Sequence, residues 1–208
     1  VEEQLARRPI AVDVEALVPA LVGALRTPLG GLADDLTLAD VADLMEQHLA
    51  AADPLRPFAT ELRDASLRGR TLRGYLTGSI DLLLRLDGDR SLVVDHKTNR
   101  LESPDLTDAG GGLEAYAPDR LAGAMLHTTY PLQALLYAVA QHRFLRWRLR
   151  GYDPDEHLAG VLYLFVRGMT GPDVPRGTDG APYGVFAWRP PTSLVLGLSD
   201  LLDGRFAR

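Results

Sequence analysis

Apolar residues recur at helical spacing through Val14, Leu17, Val18, Leu21 and Leu25, and the run stops at Thr27-Pro28 and Gly30-Gly31, which predicts a helix over 14–25 followed by a loop. Thr37-Leu38-Ala39-Asp40 has the form of a capping box and opens a second helix over 38–49. Asp53-Pro54 breaks the chain before a short helix over 58–67. The pattern then turns to strands. Residues 76–86 and 91–97 read as a hairpin joined by Asp87-Gly88-Asp89, a D-G turn signal. A long polar, Gly-rich loop over 98–118 leads to a short helix over 120–126. The longest helix is expected over 131–150, with Pro131 in its first turn and Leu132, Leu135, Leu136, Val139 and Ala140 as its apolar stripe. After a loop over 151–157, the continuous apolar run 159–166 predicts a strand buried on both faces. A Gly/Pro loop over 170–182, a strand over 184–188 and a closing helix over 193–202 complete the chain. This order predicts an α/β fold with a mixed central β-sheet flanked by helices. We expect an N-terminal helical part over 1–73 and a core over 74–208.

Two features of that pattern carry candidate chemistry. Asp81 interrupts an apolar strand, and Asp95-His96-Lys97 closes the next one directly after Leu92-Val93-Val94. Carboxylates rarely sit in such strands unless something pairs them. Residues two apart in a strand share a face, so Asp95 and Lys97 project together while His96 turns away. The hairpin brings Asp81 alongside. Two carboxylates and an ammonium then converge at one end of a sheet; the carboxylates are hard oxygen ligands that suit Mg²⁺ or Mn²⁺, with the His96 carbonyl as a further oxygen. A lysine beside such an ion could orient or deprotonate an attacking water, which an arginine cannot do. The other reading of the same spacing is a buried Asp95–Lys97 pair that serves structure alone, with Asp81 in solvent. On the longest helix Gln133 and Tyr137 lie four apart and therefore stack on one face.

Composition sharpens this picture in three places. Lys97 is the only lysine among the 22 Lys and Arg residues, so it stands where arginine would not serve. The chain has no cysteine, which removes disulfides, cysteine-ligated zinc and iron–sulfur clusters and fits a cytoplasmic protein. The net charge of −6 has the wrong sign for a free-standing DNA binder, so nucleic acid would have to be delivered to an acidic site by other parts of a larger machine. No apolar run reaches the roughly 18–20 residues that span a bilayer, and no phosphate-binding G-x-x-x-x-G-K-[ST] loop occurs. The chain opens on Val, which points to a piece of a longer protein. His48, at a helix end, reads as a dipole or solvent feature. Arg143, Arg146, Arg148 and Arg150 with Trp147 read as a solvated helix end or as a phosphate or partner contact.

Taken in order, GSIDLL, VVDHKTNR, YPLQALLYAVAQHRFLRWRL and GVLYLFVRGM resemble the C-terminal nuclease domain of RecB-type helicase–nuclease subunits, a family of the PD-(D/E)XK superfamily. The likeness runs from about Gly74 to Asp203. It implies a restriction-endonuclease-like fold and Mg²⁺-dependent hydrolysis of DNA phosphodiesters, with Mn²⁺ able to substitute. It implies that Asp81 and Asp95 are metal-binding carboxylates, that His96 lends its backbone carbonyl and that Lys97 is the catalytic lysine. Gln133 and Tyr137 match the family's Q-x-x-x-Y signature near the DNA backbone. The implied partners are DNA, RecC-like and RecD-like subunits and the helicase part of the same polypeptide, with no membrane. Two family features have no match here: an upstream G-T-x-x-H-x-x-x-E helix whose His completes the metal site, and an E-F-E-L-P strand. The junction near 30–35 looks abbreviated. One protein ligand is therefore expected to be missing, and the alternative function is a catalytically incomplete module that docks on partner subunits.

Overall fold

A computed structural model describes residues 36–64, 79–101 and 112–204, so the helix expected over 14–25, the junction near 30–35, positions 65–67 of the next expected helix, 76–78 of the first expected strand and 102–111 of the loop over 98–118 lie outside the described residues. Helix α1 (Leu38–His48) begins where the capping box places it. The Thr37 backbone N–H donates to Asp40 Oδ2 at 2.7 Å, and the Thr37 hydroxyl donates to the same oxygen at 2.9 Å. Leu38, Val41, Ala42, Leu44 and Met45 form its buried face. The next helix, α2 (Phe58–Leu62), ends short of the expected residue 67. Asp53 ties the connection down by accepting from the Leu55 N–H at 2.9 Å and from Trp188 Nε1 at 3.2 Å.

The sheet is mixed, as its pattern predicts. Strands β1 (Leu82–Arg85), β2 (Ser91–Lys97), β3 (Leu158–Phe165) and β4 (Val185–Trp188) lie in the order β1-β2-β3-β4. The outer pairs are antiparallel and the central β2–β3 pair is parallel. The first strand is shorter than expected, with Asp81 in a bend just before it. The Asp81 carboxylate accepts the His96 N–H at 3.0 Å, the donor that a longer β1–β2 ladder would use. The D-G turn forms as expected, with Gly88 at φ 72° and Asp89 at φ 58°.

Strand β3 departs from the expectation of burial on both faces. Val161, Tyr163 and Phe165 are buried, whereas Leu162 and Leu164 are only partly covered. A register shift against β2 leaves Ser91 opposite Leu158 and Leu92 opposite Gly160. Gly160 has φ 105°, and a Cβ there would lie 2.5 Å from the Trp188 carbonyl oxygen, so the bulge is built around a missing side chain. Beyond it, Asp95 pairs with Tyr163 and Lys97 with Phe165.

Helix α3 (Pro118–Leu126) starts two residues before the expected position, because Pro118 suits the first turn. Helix α4 (Tyr130–Arg148) is the longest. The expected loop after it contains a single helical turn, α5 (Pro154–His157), which Asp153 caps by accepting the Asp155 N–H at 2.9 Å. Helix α6 (Thr192–Leu202) closes the described chain. Helix α4 packs on β2 and β3, and α6 packs on both α4 and α1. Within the expected stripe of α4, Leu135, Val139 and Ala140 are buried, while Leu132 and Leu136 are partly covered. The burial extends beyond that stripe to Tyr137, Gln141 and His142. No helix among the described residues is long and apolar enough to cross a membrane.

Candidate active site

The end of β2 places Asp95 and Lys97 on the sheet face that lies under α4. Their side chains are 5% and 11% exposed, and Lys97 Nζ lies 2.6 Å from Asp95 Oδ1. The ammonium also donates to Gln133 Oε1 at 2.9 Å. Gln133 Nε2 donates to the Tyr137 hydroxyl at 2.8 Å, so the amide is oriented with its oxygen on Lys97 and its nitrogen on Tyr137. The single Tyr137 proton is shared between the Ser79 carbonyl at 2.8 Å and Asp95 Oδ2 at 3.0 Å. Burial, and after it the negative charge of Asp95, pushes the Tyr137 hydroxyl well above its ordinary pKa, which keeps it a donor.

Asp81 approaches from β1 and is far more open, its side chain 42% exposed. Its carboxylate holds the His96 N–H, and the exposed His96 ring lies with Nδ1 3.7 Å from Asp81 Oδ2. The structure therefore brings Asp81, Asp95, His96, Lys97, Gln133 and Tyr137 to one end of the sheet. Gln133 and Tyr137, expected near a DNA backbone, spend their polar atoms on Lys97, Asp95 and the Ser79 carbonyl. The buried Asp95–Lys97 pair and the open Asp81 also satisfy the geometry of a purely structural ion pair.

Among the described residues no cluster of three or more His, Asp and Glu side chains could hold a metal ion. The ligands that the likeness implies, two carboxylates and the His96 carbonyl, are all hard oxygen, the donor type that suits a divalent metal ion. His48 is remote from this: a Cβ at Gly197 of α6 would lie 3.7 Å from its Nε2, so it packs at the α1–α6 contact. Arg143 is committed to α6, donating to Ser199 Oγ at 3.0 Å, Ser199 O at 2.8 Å and Asp203 Oδ1 at 2.7 Å. Trp147 is 68% exposed, with the Arg148 guanidinium 4.8 Å from its ring.

Two residues at the site escaped the reading of the chain. Tyr130 places its ring centroid 3.9 Å from Lys97 Nζ, and Tyr163 stands 5.1 Å away. The first lies three residues before Gln133 on the same helix face, and the second is the one polar-tipped residue in the run 159–166. Both signals were present, but an aromatic at such a position usually marks core.

The chain matches the model of the PD-(D/E)XK nuclease superfamily over residues 3–181. It is 57% identical over 175 residues to the RecBCD enzyme subunit RecB of Mycobacterium tuberculosis, covering 84% of this chain and 15% of that protein. It is 45% identical over 226 residues to the subunit of the same name from Mycolicibacterium smegmatis, covering 94% of this chain and 20% of that protein. The Escherichia coli RecB subunit is 35% identical over 133 residues, covering 64% of this chain and 10% of that protein. The chain thus spans a fifth or less of the length of these relatives.

Proposed function

The chain belongs to the PD-(D/E)XK nuclease superfamily, and on that premise we propose that it is the nuclease domain of a RecB-type helicase–nuclease subunit. In this reading it hydrolyses DNA phosphodiester bonds with Mg²⁺, as an exodeoxyribonuclease working in double-strand break processing and recombinational repair. The single observation that carries the reading is the convergence of Asp81, Asp95 and Lys97 where β1 and β2 meet. Asp81, Asp95 and the His96 carbonyl would hold the ion, which when bound stabilises charge on the scissile phosphate as a Lewis acid. Lys97 presents Nζ to orient the attacking water, from a position held by Asp95 and Gln133. Tyr137 keeps one Asp95 oxygen in place through its hydroxyl, so the carboxylate stays aimed. Gln133 and Tyr137 meet the DNA, in this reading, only beside the scissile phosphate. The strand is delivered by the helicase part of the polypeptide and by RecC-like and RecD-like subunits in the cytoplasm, which answers the acidic charge of the domain.

Replacing Asp81, Asp95 or Lys97 by Ala lowers cleavage of single-stranded DNA by roughly 10²-fold or more, the scale of positioned acid–base and metal groups. Near-normal cutting by the Lys97→Ala protein would overturn the role given to that residue. One observation favours a second reading, a catalytically incomplete docking module: no third acidic or His ligand joins the pair among the described residues. Calorimetric titration of the chain with Mn²⁺ separates the two. Heat of binding that disappears in Asp81→Ala supports the nuclease, and no binding at millimolar Mn²⁺ supports the docking module.

A further inference from the structure

We propose that Tyr130 and Tyr163 form an aromatic seat that positions the Lys97 ammonium, making both of them positioning residues for the reaction. The catalytic consequence rests on the nuclease reading above; the seat itself rests on geometry. A lysine side chain has four rotatable bonds, and one carboxylate contact leaves Nζ free to swing around it. Three further contacts remove that freedom. The Tyr130 ring faces Nζ at 3.9 Å, inside the range in which a ring face attracts a cation. Tyr163 forms a second wall at 5.1 Å, with the two rings 5.8 Å apart and inclined by 30°. Gln133 Oε1, the third contact, accepts both from Nζ and from the Tyr163 hydroxyl at 3.1 Å.

The seat is also braced from behind. The Tyr163 hydroxyl lies 3.2 Å from the Tyr130 carbonyl, so the first residue of α4 and the middle of β3 are joined at the lysine. Burial and then the charge of Asp95 hold the Tyr163 hydroxyl well above its ordinary pKa. It therefore stays protonated and available as a donor. Lys97 at 11% exposure is dry enough for the ring contact to count, since water competes with the ring in open sites. The carboxylate sets the charge of the ammonium's surroundings, whereas the rings and the amide set its direction.

The chain has one lysine, which gives a direct readout. Labelling lysine with ¹³C yields a single ε-methylene resonance from the 208-residue chain, expected upfield of free lysine through the ring current of Tyr130. Tyr130→Phe keeps that upfield position, and Tyr130→Leu moves it downfield towards the free-lysine value, with the part due to Tyr163 remaining. A resonance already at the free-lysine position, or unmoved by Tyr130→Leu, overturns the seat. In cleavage by the full-length protein, Tyr130→Leu lowers kcat about 3- to 30-fold at unchanged KM, with Tyr130→Phe restoring it. Because Tyr130→Leu could impair folding, progressively fluorinated phenylalanines at position 130 supply a shape-preserving series. Stepwise decline of kcat supports the seat, and a flat series overturns it. Absence of cleavage by the unsubstituted protein sinks the nuclease reading and leaves the resonance test standing, so the two failures are distinguishable.

Discussion

Asp95→Asn tests how the site is held together, and its size can be worked from the contacts. Asp95 and Lys97 are 5% and 11% exposed and 2.6 Å apart. Removing one partner of a buried ion pair costs about 3–5 kcal/mol, because the other charge is left unpaired in a poor solvent. Here the loss is softened. Asparagine still accepts from Tyr137, and Lys97 keeps Gln133 Oε1 at 2.9 Å and the Tyr130 face. We expect about 2–3 kcal/mol of destabilisation, just below that range. The control is Asp81→Asn, whose carboxylate is 42% exposed and has a backbone N–H as its hydrogen-bond partner. Its change should stay within about 0.5 kcal/mol. Urea denaturation at pH 7.5 with EDTA, followed by circular dichroism, measures both. Cleavage measured on the same proteins should fall for each. The two carboxylates would then be equal in catalysis and unequal in stability. Adding Lys97→Met to Asp95→Asn should cost less than the sum of the single changes, since the orphaned charge is gone. An Asp95→Asn protein as stable as the parent would refute the buried pair, and one more stable than the parent would show two carboxylates repelling rather than a paired one.

Further predictions concern the support of the site. His142, on the buried side of α4, is pushed down to about 4 by burial first and then by Arg146 and Arg143, with Asp200 opposing. Between that value and about 6.5 the unfolded chain binds a proton that the folded chain refuses, so stability rises with pH across this window, by up to about 3 kcal/mol. Denaturation at pH 7.5, 6 and 5 should show a steeper fall for the parent than for His142→Gln, and equal slopes would refute the assignment. Gly160→Ala places a Cβ 2.5 Å from the Trp188 carbonyl at φ 105° and should cost at least about 1–3 kcal/mol in urea denaturation. A cost under about 0.5 kcal/mol would mean that β4 yields freely at that point.

Much of this protein is legible along the chain because its signals are local. The Thr37–Asp40 box, the D-G turn and the bounds of β2 depend on residues a few positions apart, and all three form as read. The likeness in four ordered motifs indicated the family for the same reason: each motif is short, and their order survives without coordinates. The misses come from interactions across the chain. Just before β1, one carboxylate takes the N–H of a residue fifteen positions later, a contact that no local pattern shows. The half-open face of β3 depends on which sheet face the helices cover, and a run of apolar residues is silent about that.

At the site the division is sharper. Strand alternation alone put Asp95 and Lys97 on one face with His96 turned away, because the two-residue period is a property of the backbone. The helix repeat alone put Gln133 beneath Tyr137. Neither periodicity could show that these two pairs meet. That required the β2–β3 register beyond the Gly160 bulge, which sets Asp95 against Tyr163, and the packing of α4 over both strands. Side-chain direction in one element is dictated locally, whereas the partner that it finds is set by how distant elements share a core. The solitary lysine and its neighbouring carboxylate were visible along the chain, and only the folded chain supplied the ring and the amide that join Asp95 in holding it.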